Sequence, residues 1–284
     1  MVKKSGRRKP PKRRFIPPKT GTRSPSPAPR GPLMPVVRHE EAYSWLNSDM
    51  PADLAPLYAL IGIFRYDSGG KPANSCISAS YQYARALHLL GFEAHLMVAC
   101  ATVLCREKGA DTRITDVGLW DRLPEFRRSD QQYSGHIVLY SPSFTRLVDL
   151  TIAQDTALQR RITAEPSLGL PIVLSVSAGS DFNVIRPATF RGRYLIIYQL
   201  FANLLHTLTP FWEESEQITQ MERASRDLAS WALDVLRTVD RENPERWRQT
   251  APHLRQLIDG VIELPEAAQM RAQTRPWETL IPPG

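Results

Sequence analysis

The chain has 284 residues, 42% of them hydrophobic and 23% charged, which is enough for one sizeable domain or a domain with an added subdomain. That composition excludes a wholly disordered chain, a collagen-like repeat and a small disulfide scaffold. The net charge of +7 is unevenly spread: residues 1–38 hold 12 of the 36 Lys and Arg and none of the 29 Asp and Glu, so a strongly basic arm precedes a mildly acidic remainder.

The arm, residues 1–36, carries nine of the 24 prolines and the clusters Lys3-Lys4, Arg7-Arg8-Lys9 and Lys12-Arg13-Arg14. Such a segment buries too little apolar surface to offset the entropy of ordering it, and disorder is expected. Its charge suits attachment to nucleic acid or another polyanion by counterion release. Phe15 is its one aromatic residue, so base-specific stacking is not implied. The plainer reading is a solubilising tail. No stretch has the ~18–20 uninterrupted apolar residues that a membrane-crossing helix needs: residues 87–104 are broken by His88, Glu93 and His95, and residues 194–205 are too short. No apolar run of secretory type follows the basic start. Three cysteines make a poor disulfide framework and fit a reducing, cytoplasmic setting.

A core is expected over residues 39–205. Residues 40–47 read as a short helix, and residues 53–64 as a second, with Leu54, Leu57, Tyr58, Ile61 and Phe64 on one face. The run Ser68-Gly69-Gly70-Lys71-Pro72 then breaks the chain. Asn74 or Ser75 can cap a helix that begins at Cys76 and runs to Leu90, and Gly91 stands where a left-handed stop is wanted. Ile77, Ser80, Tyr81, Ala84, Leu87 and Leu90 supply its stripe. Residues 93–104 read as a strand, and residues 106–132 as a charged excursion with little structure. Residues 135–140 and 144–151 are strands joined so tightly by Ser141-Pro142-Ser143 that they must form an antiparallel hairpin. A short helix over 155–162 and strands over 172–176 and 193–199 follow. Residues 210–262 form a helical pair: Ile218, Met221, Ser225, Leu228, Ala232, Val235 and Val239 make one stripe. The second helix covers 245–259, closed by Gly260, and residues 263–284 are a tail. The class is α+β.

Within this order stand a cysteine that opens a helix, a histidine on a strand and an aspartate on the adjoining strand: Cys76, His136 and Asp149. A thiol is a good nucleophile only as thiolate, which unpaired N–H groups at a helix N-terminus favour. A neighbouring imidazole takes the proton and returns it to the leaving group, and a carboxylate beyond it sets the tautomer. The hairpin turn centres near Pro142-Ser143, which sets His136 directly opposite Asp149, close enough for a cross-strand hydrogen bond.

In these features the chain resembles the transglutaminase-like superfamily, papain-fold enzymes with a helix-opening cysteine followed by His and Asp on successive strands. The matching residues are Gly70-Lys71-Pro72-Ala73-Asn74-Ser75-Cys76, then Ser80, Ala84 and Leu87, the helix exit Leu90-Gly91-Phe92-Glu93-Ala94, Gly135-His136-Ile137-Val138-Leu139 and Leu147-Val148-Asp149-Leu150-Thr151. Arylamine N-acetyltransferases share the order and a similar Leu-Val-Asp strand. The resemblance covers residues 62–154. It implies Cys76 as nucleophile, His136 as general base and acid, and Asp149 as the orienting group, acting on a protein or peptide substrate with no cofactor. The Arg-Gly-Gly-x-Cys run of the acetyltransferases is absent, since Gly69-Gly70 lie too far before Cys76, which disfavours an acetyl-CoA donor. The Cys76 N–H is one oxyanion donor; Asn74, Gln131, Gln132 and Trp45 are candidates for a second.

Two functions are therefore expected to compete. One is cysteine-dependent acyl transfer, as a protease or amidase if water is the acceptor and as a transglutaminase if an amine is. The other is an inert transglutaminase-like binding module tethered by the arm. Cys100, Cys105, His88 and His95 read as packing or surface residues. They lack the paired spacing of a zinc site, and no metal is expected. His206 and His253 have no partner in sequence, and Trp120-Asp121 sit in what reads as an ordinary surface loop.

Overall fold

The computed structural model describes residues 51–67, 76–107, 110–118, 123–127, 132–213, 215–245, 251–265 and 276–282. The arm, the helix expected over 40–47, Trp45, the expected cap at Asn74 or Ser75, Trp120, Asp121 and Gln131 lie outside them. So does the side chain of Gln132, although its backbone is described.

The first described helix, α1 (Ala55–Asp67), is preceded by a 3-10 turn at Ala52–Leu54. Leu57, Leu60, Ile61 and Ile63 are all buried, so it is enclosed on more than one face. Helix α2 (Cys76–Leu89) is likewise buried nearly all round rather than along one stripe. It ends as its sequence requires: Gly91 adopts a left-handed φ of +89°. The Phe92 N–H donates to the Leu87 carbonyl at 2.9 Å and the Gly91 N–H to that of His88 at 3.0 Å, the paired bonds of a Schellman stop.

An antiparallel sheet of seven strands follows. Strand β1 (His95–Glu107) is its long central member. Along one edge, the second half of β1 pairs with β2 (Ala110–Val117). Strands β3 (Phe126–Arg127) and β4 (Gln132–Tyr133) form a separate two-stranded ribbon. The first half of β1 then pairs with β5 (His136–Ser141), from His95↔Tyr140 to Ala99↔His136. Beyond β5 come β6 (Arg146–Asp149) and, after the short helix α3 (Thr156–Ile162), β7 (Ile172–Ser175). On the other edge of β1 lies β9 (Tyr194–Phe201), with β8 (Ala188–Arg191) outside it. The sequence expectation of little structure over 106–132 is corrected here. Residues 110–117 are a strand whose Asp, Thr and Arg side chains are exposed or half-buried; its pairing with β1, rather than a hydrophobic alternation, specifies it.

Met97, Ala99, Ala101 and Val103 share one buried layer with Val138, Tyr140, Ile196, Tyr198 and Leu200. The alternate positions Leu96, Val98, Cys100, Ile137 and Leu139 are buried as well, so the centre of the sheet is covered on both faces. Ser80 of α2 ties that helix to β5 by donating to the Ile137 carbonyl at 3.0 Å.

After the turn α4 (Thr209–Trp212), the 28-residue α5 (Ser215–Glu242) packs on α1 and α2. Its whole expected stripe from Ile218 to Val239 is buried. The last helix, α6 (Pro252–Ile258), is shorter than the expected 245–259. Pro252 cannot donate an amide hydrogen inside a helix but is tolerated in the first turn, so the helix begins there. All described residues belong to one compact unit. None of their helices is long and apolar enough to cross a membrane.

Candidate active site

The change of partner along β1 makes the site. Where β2 ends and β5 begins, Ala101 pairs with Val117 and Ala99 with His136. The chain leaves β2 through Gly118, whose φ is +94°. A Cβ there would lie 2.7 Å from the Ala99 carbonyl oxygen and 3.3 Å from the His136 Cβ, so only glycine lets the strand end pass this close. A cavity of about 470 Å³ opens at this split; Cys76, Gly118, Tyr133, His136, Thr151 and Gln154 are among its walls.

Cys76 is the first residue of α2 and is half-buried. His136 is the first residue of β5 and is buried. Its Nε2 donates to Asp149 Oδ2 at 2.8 Å, which leaves Nδ1 outside that bond, and the imidazole shares the wall of one cavity with Cys76. The hairpin register is offset from the expected one. Leu139 faces Val148 and Ser141 faces Arg146, because the connection is a 3-10 turn (Pro142–Phe144) followed by Thr145 in the left-handed region. Continued, that register sets Asp149 opposite Val138 and His136 two residues further along the same face. The imidazole spans the diagonal.

Asp149 is wholly buried and takes three hydrogen bonds. Oδ2 accepts from His136 and, at 2.9 Å, from the Tyr198 hydroxyl, while Oδ1 accepts from the Thr151 N–H at 2.9 Å. Burial alone would raise its carboxyl, but His136, the Thr151 amide and Tyr198 together hold it below the ordinary carboxylate value. Burial alone would likewise lower the imidazole; Asp149, with Cys76 adding to it, pushes His136 up to about 10. The pair therefore rests as imidazolium and carboxylate, with the Cys76 sulfur at the open end.

Sequence reasoning missed Tyr198, which lies in an alternating strand of Tyr, Ile and Leu; its signal was a phenol at a buried position, where a polar handle needs a partner. Thr151, Gly118 and Tyr133 were also missed. Burial pushes the Tyr133 phenol up, and Tyr133 lines the same cavity as Cys76. Its hydroxyl lies 3.2 Å from that of Thr207.

The other candidates lie apart from this site. Cys100 is buried in β1, where burial first and Asp116 second raise its thiol to about 12. Cys105 is buried, with Glu107 at 3.5 Å. His88 Nε2 lies 2.9 Å from the Ala94 carbonyl oxygen, and His95 pairs with Glu93 at 2.8 Å. His206 caps its own turn through Asn203, and the exposed His253 packs over Gly91. Among the described residues no group of three or more His, Cys, Asp or Glu is placed to hold a metal ion.

No protein-family model, no curated protein and no solved structure matches the chain.

Proposed function

We propose that the chain is a cysteine-dependent acyl-transfer enzyme of transglutaminase-like type, acting in a reducing, cytoplasmic setting, with Cys76, His136 and Asp149 as its triad. The observation that carries this is the buried relay itself: a carboxylate with three hydrogen bonds holds one imidazole nitrogen at 2.8 Å, and the imidazole shares the wall of one cavity with a helix-opening cysteine. In the reactive form His136 already carries the Cys76 proton as imidazolium, and the thiolate sulfur attacks the substrate carbonyl carbon. A C–S bond forms as the carbonyl becomes an oxyanion. His136 then gives its proton to the leaving amine as the C–N bond breaks, which yields a thioester. Water or a second amine, deprotonated by His136, attacks that thioester and releases Cys76. The Cys76 N–H is one donor to the oxyanion. The competing reading, a binding module tethered to nucleic acid or another polyanion by the basic arm, draws on the charge split between residues 1–38 and the remainder.

Alkylation of each cysteine by iodoacetamide against pH, read by mass spectrometry in the native protein, separates the two. Cys76 is expected to label at least about tenfold faster than Cys100 and Cys105, with activity extending below the free-thiol value near ~8.5, and to slow in His136→Ala. Labelling of Cys76 no faster than of the two buried thiols would remove the catalytic reading and leave the binding module.

A further inference from the structure

We propose that the cavity wall formed by Thr151, Gln154 and Asp155 is a subsite for a cationic group, so that the acyl donor is a peptide bearing an ammonium or guanidinium. The inference rests on the acyl-transfer reading and names the substrate class for the same site.

The wall follows directly from the strand that carries Asp149. A 3-10 turn at Ile152–Gln154 brings Thr151, Gln154 and Asp155 onto the cavity that holds Cys76 and His136. Thr151 is 1% exposed, yet its Oγ1 has no partner among the described residues, and the buried Nε2 of Gln154 has none either. Buried polar atoms without partners are uncommon because each has lost its water without recompense. Two of them on one wall, beside a reactive thiol, are groups waiting for a ligand.

Their chemistry says which ligand. Gln154 Nε2 is a donor and matches a peptide carbonyl. Thr151 Oγ1 has lone pairs for an N–H. Asp155 supplies the charge: Oδ1 accepts from the Ala157 and Leu158 amides, but Oδ2 accepts only from the Thr115 hydroxyl, at 3.2 Å. No described Lys or Arg pairs with Asp155. The other carboxylate on the cavity, Asp116, is already held by Arg113 and Thr102. No Lys or Arg is among the described residues that line the space. One carboxylate without a counter-cation, next to a buried hydroxyl, thus selects a cation, and Gln154 holds the chain that carries it.

The test compares two ligands of nearly the same shape that differ in charge. Nα-acetyl-arginine amide and Nα-acetyl-citrulline amide are titrated into the Cys76→Ala chain by calorimetry. The arginine compound is expected to bind about tenfold tighter. Asp155→Asn keeps a side chain equally able to cap α3 but removes the charge, and it should bring the ratio close to one. Thr151→Val, a second variant with an intact helix cap, should lower the ratio as well. Equal affinity for the two ligands, or a ratio that survives Asp155→Asn, overturns the proposal. The nitrophenyl esters of the two acetylated amino acids, offered to the unaltered chain, keep the two readings apart. Cys76 acylated equally by both esters sinks the subsite and leaves the triad standing, whereas no acylation by either sinks the triad and with it the subsite's role.

Discussion

Asp149 shows how much one buried group can govern. A carboxylate that is wholly buried is tolerated only because three donors surround it and an imidazolium neutralises it. The sign of its pH dependence follows. His136 is raised from 6.5 to about 10, so its share of the pair's stabilisation is complete below pH 6.5 and is lost as pH rises through about 10. Asp149 is lowered from 3.8, so its share is complete above 3.8 and is lost as pH falls further. The two windows overlap between 3.8 and 6.5. The difference in unfolding free energy between the unaltered chain and Asp149→Asn is therefore expected to be largest near pH 5 to 6, by roughly 3 kcal/mol, and to shrink towards pH 10. Denaturant melts across that range check it; a difference independent of pH would show that the two groups do not form an ion pair.

At the scale of elements, the decisive feature is that β1 pairs with two strands along one edge. Its 13 residues are long enough to accommodate both β2 and β5, and the gap between them is the cleft. Gly118 sets how closely β2 approaches His136 before the chain turns away. An alanine there would meet a backbone oxygen at 2.7 Å at a φ of +94°, and neither strain is relieved by rotating a side chain. Gly118→Ala is expected to cost about 1–3 kcal/mol and to slow Cys76 alkylation, because the displaced strand end presses on the His136 Cβ. Wild-type melting temperature and labelling rate together in this variant would mean that Gly118 does not position the histidine.

For the molecule as a whole, α5 is what locks α2, the helix that Cys76 opens, in place. Glu222 of α5 accepts from Tyr81 at 2.5 Å and from Arg85 Nε at 3.1 Å, both on α2 and all three buried. Such a buried ionic cluster fixes the register of two helices more than it adds net stability, but removing one partner is severe. Glu222→Gln keeps the shape and removes the charge opposite the Arg85 guanidinium. A loss of about 3 kcal/mol is expected, measured by urea unfolding, and a loss below ~1 kcal/mol would mean that the cluster is incidental to the packing of α5.

Much of this was written locally. A cysteine after polar residues and before an apolar periodicity opens α2, Gly91 ends it, and β-branched runs around Ser141-Pro142 make a hairpin; each depends on neighbours within a few residues, so each is legible in the chain itself. His136 and Asp149 were also legible as residues of one face, and this survived an error in register. The turn's centre lies one residue later than the sequence implied. Such a shift moves a strand partner by two positions, and side chains alternate with a period of two. What only the tertiary structure decided depends on residues far apart in sequence. Tyr198 reaches Asp149 across 49 positions, Glu222 reaches Tyr81 across 141, and β2 is a strand because β1 offers it a free edge. The buried hydroxyl of Thr151 and the amide of Gln154 gain their meaning only from the cavity they line. Local chemistry chooses the elements; which polar groups meet, and which are left waiting for a ligand, is settled only when those elements close on one another.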